Sequence, residues 1–229
     1  MHQSAVVLLS GGIDSVTTLY YAAQFYRLYA LSFDYGQKHK YELQLARYHA
    51  ENLKVKEYFV IKIHKEIFKK TALVDNNIKV PENRKIDDDI PITYVPARNL
   101  LFLSYAVAFA ESREINHIFI GANALDYSGY PDCRPEFIAS FEKTANLGTK
   151  MGILENSLKV HTPLINKKKS EIIKMGLELG IDYAYTSSCY QPDQNGKPCL
   201  KCDSCQIRIK GFKELKMEDP LIYKFSLSF

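Results

Sequence analysis

The sequence has no apolar run long enough to span a bilayer and no signal-peptide pattern at its start. A soluble, cytoplasmic protein with no membrane partner is expected. It carries little net charge: +4 over 229 residues makes no strong case for nucleic acid or a membrane surface as partner. No low-complexity stretch or internal repeat is present, which argues against disordered linkers and solenoids. Cysteine is scarce outside one short segment. Four of the five cysteines crowd between Cys189 and Cys205, which is no disulfide framework. Gly-x-x-x-x-Gly-Lys-Ser/Thr is missing, so there is no Walker loop, and Gly-x-Gly-x-x-Gly is missing too. No histidine pair one helical turn apart with a glutamate marks a catalytic metal site. The length suits one or two domains with a substantial core.

What is present begins at the N-terminal end. Ala5 to Leu9 is a short apolar run that reads as a buried strand. Ser10-Gly11-Gly12 turns the chain, and from Asp14 onward Val16, Leu19, Tyr20 and Ala23 recur at helical spacing. A strand, a glycine turn and a helix N-terminus form an anion site, because the first helical N–H groups have no partner inside the helix and carry partial positive charge. Two glycines let a phosphate approach the backbone without meeting a Cβ. Ser10 and Ser15 add hydroxyl donors. Ser-Gly-Gly-x-Asp-Ser after a first strand resembles the pyrophosphate loop of ATP pyrophosphatases, which split ATP into AMP and pyrophosphate.

Strands and helices alternate further on. Tyr29–Phe33, Tyr58–Ile61, His117–Gly121 and a segment ending at Val160–Pro163 read as strands. Tyr41–Leu53, Asn99–Ser112 and Pro135–Ala145 read as helices, the second apolar enough to be buried on more than one side. Ser170 is expected to cap a helix running through Gly176, with Gly180 stopping it. Such alternation implies an α/β fold: a Rossmann-like, mostly parallel sheet with helices on both faces. In such sheets ligands bind beyond the carboxyl ends of the strands. The polar clusters fall there: Ser10–Ser15, Asp34–His39 and Asn123–Arg134, with Thr93–Asn99 before the apolar helix. A planar polar ligand could stack on a tyrosine and pair its edge with Asp and Arg. Taken singly, each of these residues could equally be a structural turn residue. Lys79–Asp89 reads as a polar loop.

Cys189, Cys199, Cys202 and Cys205 give C-x9-C-x2-C-x2-C, which suits one tetrahedral zinc ion per chain. A ferredoxin run would continue with x3-C-P, whereas Gln206-Ile207-Arg208-Ile209 follows here. Four thiolates leave no open position, so the metal is assigned a folding role. Cys133 stands apart and could be a nucleophile, with no histidine beside it in sequence. His39 and His161 could meet phosphate or substrate; His2, His49, His64 and His117 read as surface or packing residues. Lys167-Lys168-Lys169 reads as a solvated face, although a phosphate could be reached from it.

Together these features resemble the 7-cyano-7-deazaguanine synthases of queuosine biosynthesis. The matching segments are Leu9–Ser15, Phe33–His39, Thr93–Asn99, Phe119–Gly148, His161–Leu164 and Ser188–Arg208. Lys65–Ile90 and the tail beyond Lys216 match only loosely. The resemblance implies an adenine nucleotide alpha hydrolase-like ATP-binding domain over residues 1–185. A small four-cysteine zinc segment, 186–229, would be packed on it. It implies an ATP-dependent carbon–nitrogen ligase, with ATP and magnesium, that converts 7-carboxy-7-deazaguanine and ammonia to 7-cyano-7-deazaguanine in a homodimer. Two adenylations are implied, first of the carboxylate and then of the amide, each releasing AMP and pyrophosphate.

By the same resemblance ATP is bound by Leu9, Ser10, Gly11, Gly12, Ile13, Asp14, Ser15, Val16, Thr17, Thr18 and Leu19. Ser10, Asp14 and Arg98 are the implied catalytic residues. The deazaguanine falls to Tyr35, Gln37, Arg98, Asn99, Asp126, Tyr127, Asp132 and Arg134. No general base is identified. Two other classes remain open at this point. One is a pyrophosphate-loop enzyme acting on transfer RNA, disfavoured by the low net charge and by the single cysteine outside the cluster. The other is a non-catalytic nucleotide sensor or zinc-ribbon module.

Overall fold

The computed structural model describes residues 3–84, 89–125, 129–155 and 158–222. Five strands are present among them: β1 (Ser4–Leu8), β2 (Arg27–Asp34), β3 (Glu57–Lys62), β4 (His117–Phe119) and β5 (Lys159–His161). The helices are α1 (Ile13–Ala23), α2 (Tyr41–Asn52), α3 (Arg98–Glu111), α4 (Pro135–Gly148), α5 (Lys150–Glu155), α6 (Lys169–Glu178) and α7 (Asp203–Glu214). All strand pairings are parallel, in the order β3-β2-β1-β4-β5.

Alternate residues of β1 decide the layering. Val6 and Leu8 enter one apolar cluster with Leu103 and Ala106 of α3 and Ile138 and Phe141 of α4. Ala5 and Val7 enter another with Val16 and Leu19 of α1, Ala46 of α2, Ile172 and Ile173 of α6 and Phe212 of α7. A strand buried on both faces needs helices on both sides, and each crossover helix supplies one. Chain order reverses at β1, whose neighbours are β2 and β4. Loops leaving β1 and β4 therefore diverge to opposite sides of the sheet and open a crevice at its carboxyl edge.

The C-terminal residues share this core. Phe212 packs edge-on against Tyr183, and the Ser187 N–H donates to the Gly11 carbonyl at 3.0 Å. Arg208 and Asp219 form a buried ion pair at 2.6 Å, with Arg208 also donating to the Tyr183 and Thr186 carbonyls. No helix among the described residues is long and apolar enough to cross a membrane.

Two local expectations fail. The apolar α3 is buried along one face only: Leu103, Ala106, Val107 and Ala110 are covered, while Leu100 is 44% and Tyr105 39% exposed. Ser170 does not cap α6. The helix starts at Lys169; the Lys168 N–H donates to Glu171 at 2.6 Å, and the Ser170 hydroxyl is turned to Glu214 of α7 at 2.7 Å.

Candidate active site

A cavity of about 200 Å³ lies at the carboxyl edge, between the β1–α1 loop and the start of α3. The loop is held by its own hydroxyls. Ser15 Oγ accepts from the Ser10 and Gly11 N–H groups at 3.1 and 3.2 Å and donates to the Gly12 carbonyl at 3.2 Å. Ser10 Oγ lies 2.9 Å from it. No side chain caps α1, so its first turn is left to meet an anion.

The two loop glycines do different work. Gly11 has φ +87°, and a Cβ there would lie 2.2 Å from the Glu42 carbonyl of α2. Its bareness serves helix packing, not phosphate approach as its sequence context suggests. Gly12 is the one that borders the cavity. Leu9, Ser10, Ile13, Asp14 and Ser15 line it too. Gly11, Val16, Thr17, Thr18 and Leu19 do not; the last four belong to α1 and are fully buried, Thr17 bonding the Ile13 carbonyl and the Tyr183 hydroxyl.

Asp14 meets a partner that the sequence reading passed over. Lys169, first residue of α6 and only 7% exposed, places Nζ 2.5 Å from Asp14 Oδ1. The Lys167–Lys169 run is thus not all solvated face. A signal existed: lysines at a helix start oppose the helix dipole, and a nearby anion would offset that cost.

Arg98 heads the opposite wall. It follows Ala97, whose φ of 54° lies in the left-handed region, disfavoured by roughly 1–2 kcal/mol for residues with a Cβ. The Ala97 N–H is held by the Tyr94 hydroxyl at 3.0 Å. Burial works against the Arg98 charge, but Tyr35, Asp132, Tyr130 and Cys133 around it raise its pKa, so it stays a cation. Burial pushes the Tyr35 hydroxyl up to about 12 against the pull of Arg98, which hydrogen-bonds it. A neutral phenol and a fixed guanidinium therefore face the cavity together.

The remaining residues proposed for the deazaguanine are divided. Asn99 lines the cavity and donates Nδ2 to the Asp132 carbonyl at 3.0 Å and to Cys133 Sγ at 3.3 Å. Asp132 is buried behind it; Oδ2 accepts from the Asn99 N–H at 2.9 Å, securing the start of α3. Gln37 is also buried off the cavity, bridging the Tyr35 N–H and the Phe33 carbonyl at 2.9 Å each. Arg134 is exposed at the start of α4 and does not line the cavity. Asp126 and Tyr127 lie outside the described residues. Of the histidines, His39 lines the cavity, whereas His161 pairs with His117 at 3.0 Å.

Cys133 lines the cavity, but burial, then Asp132, pushes its thiol up to about 12. It is a neutral thiol at physiological pH and a poor nucleophile. Cys133→Ala is expected to keep turnover within a few-fold, and iodoacetamide at pH 8 to leave Cys133 largely unmodified. Loss of turnover in that variant would restore a covalent role.

The four other cysteines form a candidate metal centre. Their sulfurs all lie within 4.8 Å of one another, and Cys199 and Cys205 are 3.9 Å apart. A tetrahedron with ~2.3 Å zinc–sulfur bonds has edges of about 3.8 Å. Backbone N–H groups of Cys199, Lys201, Cys202 and Tyr190 donate to Cys189, Cys199 and Cys202 sulfurs at 3.2–3.5 Å. Bonds from Cys189 and Cys205 pull the Cys202 thiol well down; Cys205 is pushed up by its bonds with Cys189 and Cys202, Cys189 by its bond with Cys202, and burial adds to both. A donor set of this kind fits a thiophilic cation.

Residues 4–216 match the family model described as "Queuosine biosynthesis protein QueC". The chain belongs to that family. It is 53% identical over 221 residues to the 7-cyano-7-deazaguanine synthase of Vesicomyosocius okutanii subsp. Calyptogena okutanii (strain HA), covering 96% of each. It is 51% identical over 222 residues to that of Magnetococcus marinus, covering 96% of this chain and 97% of the relative. Among solved structures, NMN synthetase from Francisella tularensis is similar with a TM-score of 0.49 and 19% identity, over 98% of this chain and 76% of that one.

In this member of the QueC family the cavity is also lined by residues that sequence reading left aside. Phe33 and Phe102 stack at 3.9 Å with their planes 3° apart, and Tyr130 is held by the Thr93 hydroxyl at 2.9 Å. Ser187, Ser188 and Tyr190 come from the segment leading into the cysteine cluster. They tie the candidate metal centre to the cavity. No local pattern announces them, since they arrive there through tertiary packing.

Proposed function

We infer that this chain is an ATP-dependent 7-cyano-7-deazaguanine synthase of queuosine biosynthesis, taking 7-carboxy-7-deazaguanine and ammonia as substrates. The observation that carries the reading is the pairing, on one cavity, of the Ser10–Ser15 loop with the Arg98–Tyr35 wall, in a chain about half identical to relatives of that name.

The chemistry follows from what must leave. A carboxylate oxygen is a poor leaving group; adenylation converts it to AMP and releases pyrophosphate. Ammonia then displaces AMP and gives the amide. Adenylation of the amide oxygen lets it depart as a second AMP while the nitrile forms. In this reading the α1 N-terminus, Ser10 and Lys169 hold the phosphates, and Asp14 fixes Lys169. Magnesium, when bound, neutralises triphosphate charge. Arg98 holds the carboxylate and Tyr35 and Asn99 the base. Enclosure orients adenylate and amine and keeps out water.

In this reading residues 1–185 are the ATP-binding part and 186–229 the metal-bearing part, a reading supported by Phe212 of α7 packing in the cluster with β1 and α1. Zinc at Cys189, Cys199, Cys202 and Cys205 would be a folding element. A homodimer belongs to this reading through the family resemblance alone.

Nucleotide analysis tests the adenylation. AMP and pyrophosphate should appear only when 7-carboxy-7-deazaguanine is added. ADP and phosphate in their place would refute it.

A further inference from the structure

One side-chain pair in the cavity joins an imidazole to a carboxylate. His39, after β2, and Glu42, in the first turn of α2, both line it. His39 Nε2 lies 3.3 Å from Glu42 Oε1. His39 is 7% exposed, and its Nδ1 is buried without a hydrogen-bond partner. The Tyr190 ring flanks it, 6.4 Å between centroids.

A carboxylate only accepts, so in the neutral ring Nε2 carries the proton and Nδ1 keeps a free lone pair. This differs from a packing histidine of the same chain. Buried His49 has both ring nitrogens engaged, Nε2 with the Tyr185 carbonyl at 2.9 Å and Nδ1 with the Tyr20 hydroxyl at 3.3 Å. A buried acceptor left open beside a cavity calls for a donor from the ligand.

The proposed reaction supplies one. When ammonia attacks the adenylated carboxylate, a C–N bond forms, the C–O bond to AMP breaks, and the nitrogen must lose a proton. The amide then loses one N–H proton as its oxygen is adenylated. It loses the other as the second AMP leaves and the C–N triple bond closes. All three protons come from the same nitrogen.

We propose that His39 Nδ1 is the base that takes them, with Glu42 as the residue that positions the ring. The arrangement is that of an imidazole held by a carboxylate through its other nitrogen, freeing one face for catalysis. Between steps the ring returns its proton to water. The proposal rests on the synthase reading above.

The test separates the adenylation from the nitrogen chemistry. Carboxylate-dependent exchange of labelled pyrophosphate into ATP reports the first adenylation and a folded nucleotide site. Single-turnover formation of amide from added ammonium, and of nitrile from added amide, report the nitrogen steps. His39→Gln is expected to keep exchange within a few-fold and to slow both nitrogen steps by about a hundredfold or more. Glu42→Gln, which keeps an acceptor oxygen, should slow them by about tenfold, again with exchange retained. Wild-type amide and nitrile formation in His39→Gln would overturn the proposal. So would an equal loss of exchange, which would make His39 a nucleotide ligand or a structural residue. No exchange in the unaltered chain would instead overturn the adenylation reading, and the proposal with it.

Discussion

Under the proposed reading, stripping zinc from the four-cysteine site is expected to lower the thermal midpoint of the protein by about 10 °C or more and to abolish synthesis. Cys189, Cys202 and Cys205 are buried and form their own cluster with Ala72 and Val80. Their sulfurs hold the segment that delivers Ser188 and Tyr190 to the cavity, and α7 starts directly after Cys202. Four uncompensated sulfurs packed this closely would repel or trap protons, so the apo form loses the cluster and what it anchors. Structural zinc sites contribute about 10–16 kcal/mol in isolated fingers. Even 4 kcal/mol retained here corresponds to a midpoint shift of about 8–16 °C for a chain of this size. Calorimetry before and after chelation, with metal content measured alongside, checks this. A fully demetallated protein with an unchanged midpoint would contradict it. Iron found in place of zinc would correct the metal while leaving the folding role.

Replacing Lys169 with methionine should cost synthesis about a hundredfold or more, with the thermal midpoint moved by only a few degrees. The Lys169 ammonium sits against Asp14 beside the uncapped start of α1. There, under the proposed reading, charge builds on the departing pyrophosphate. Fixed cations aimed at developing charge in an enclosed site commonly carry about 10²–10³ in rate. Lys169→Met removes that cation and leaves Asp14, which is partly exposed and can be solvated. Asp14→Ala does the reverse, leaving a buried ammonium without its carboxylate. It should therefore lose both activity and some stability. Steady-state rates and thermal midpoints of both variants separate the two effects. Near-normal turnover in Lys169→Met would remove Lys169 from the site and weaken the assignment of the phosphate loop.

Lys169 also shows where sequence reading stops. Residues 5–15 are legible because strand, glycine turn and helix start are local events, and the parallel sheet follows from the alternation of such units. The Asp14–Lys169 pair joins residues 155 positions apart; lysines at a helix start call for a nearby anion, but no local pattern names Asp14 as that anion. Gly11 was legible as a turn residue, but its purpose depends on α2 packing against it. Gln37 and Asp132 stand in the right loops yet turn inward, because buried N–H groups of Tyr35 and Asn99 need acceptors. The apolar periodicity of α3 is real, but periodicity does not say how much of a face the sheet can cover. Cys133 was ambiguous until its burial and its neighbour Asp132 were known. The clustering of the four cysteines is plain from spacing alone, since C-x9-C-x2-C-x2-C within one short segment keeps their sulfurs within reach of one another.

Under the proposed reading one cavity makes a nitrile from a carboxylate by adenylating, in turn, the carboxylate oxygen and the amide oxygen on the same carbon. The most direct test of this is mass spectrometry of a reaction containing the metal-loaded protein, magnesium-ATP, labelled ammonium and 7-carboxy-7-deazaguanine. Label is expected in the nitrile of 7-cyano-7-deazaguanine, with about two AMP formed per nitrile. Folded, ATP-competent protein that makes no nitrile, or makes it with one AMP per turnover, would contradict it.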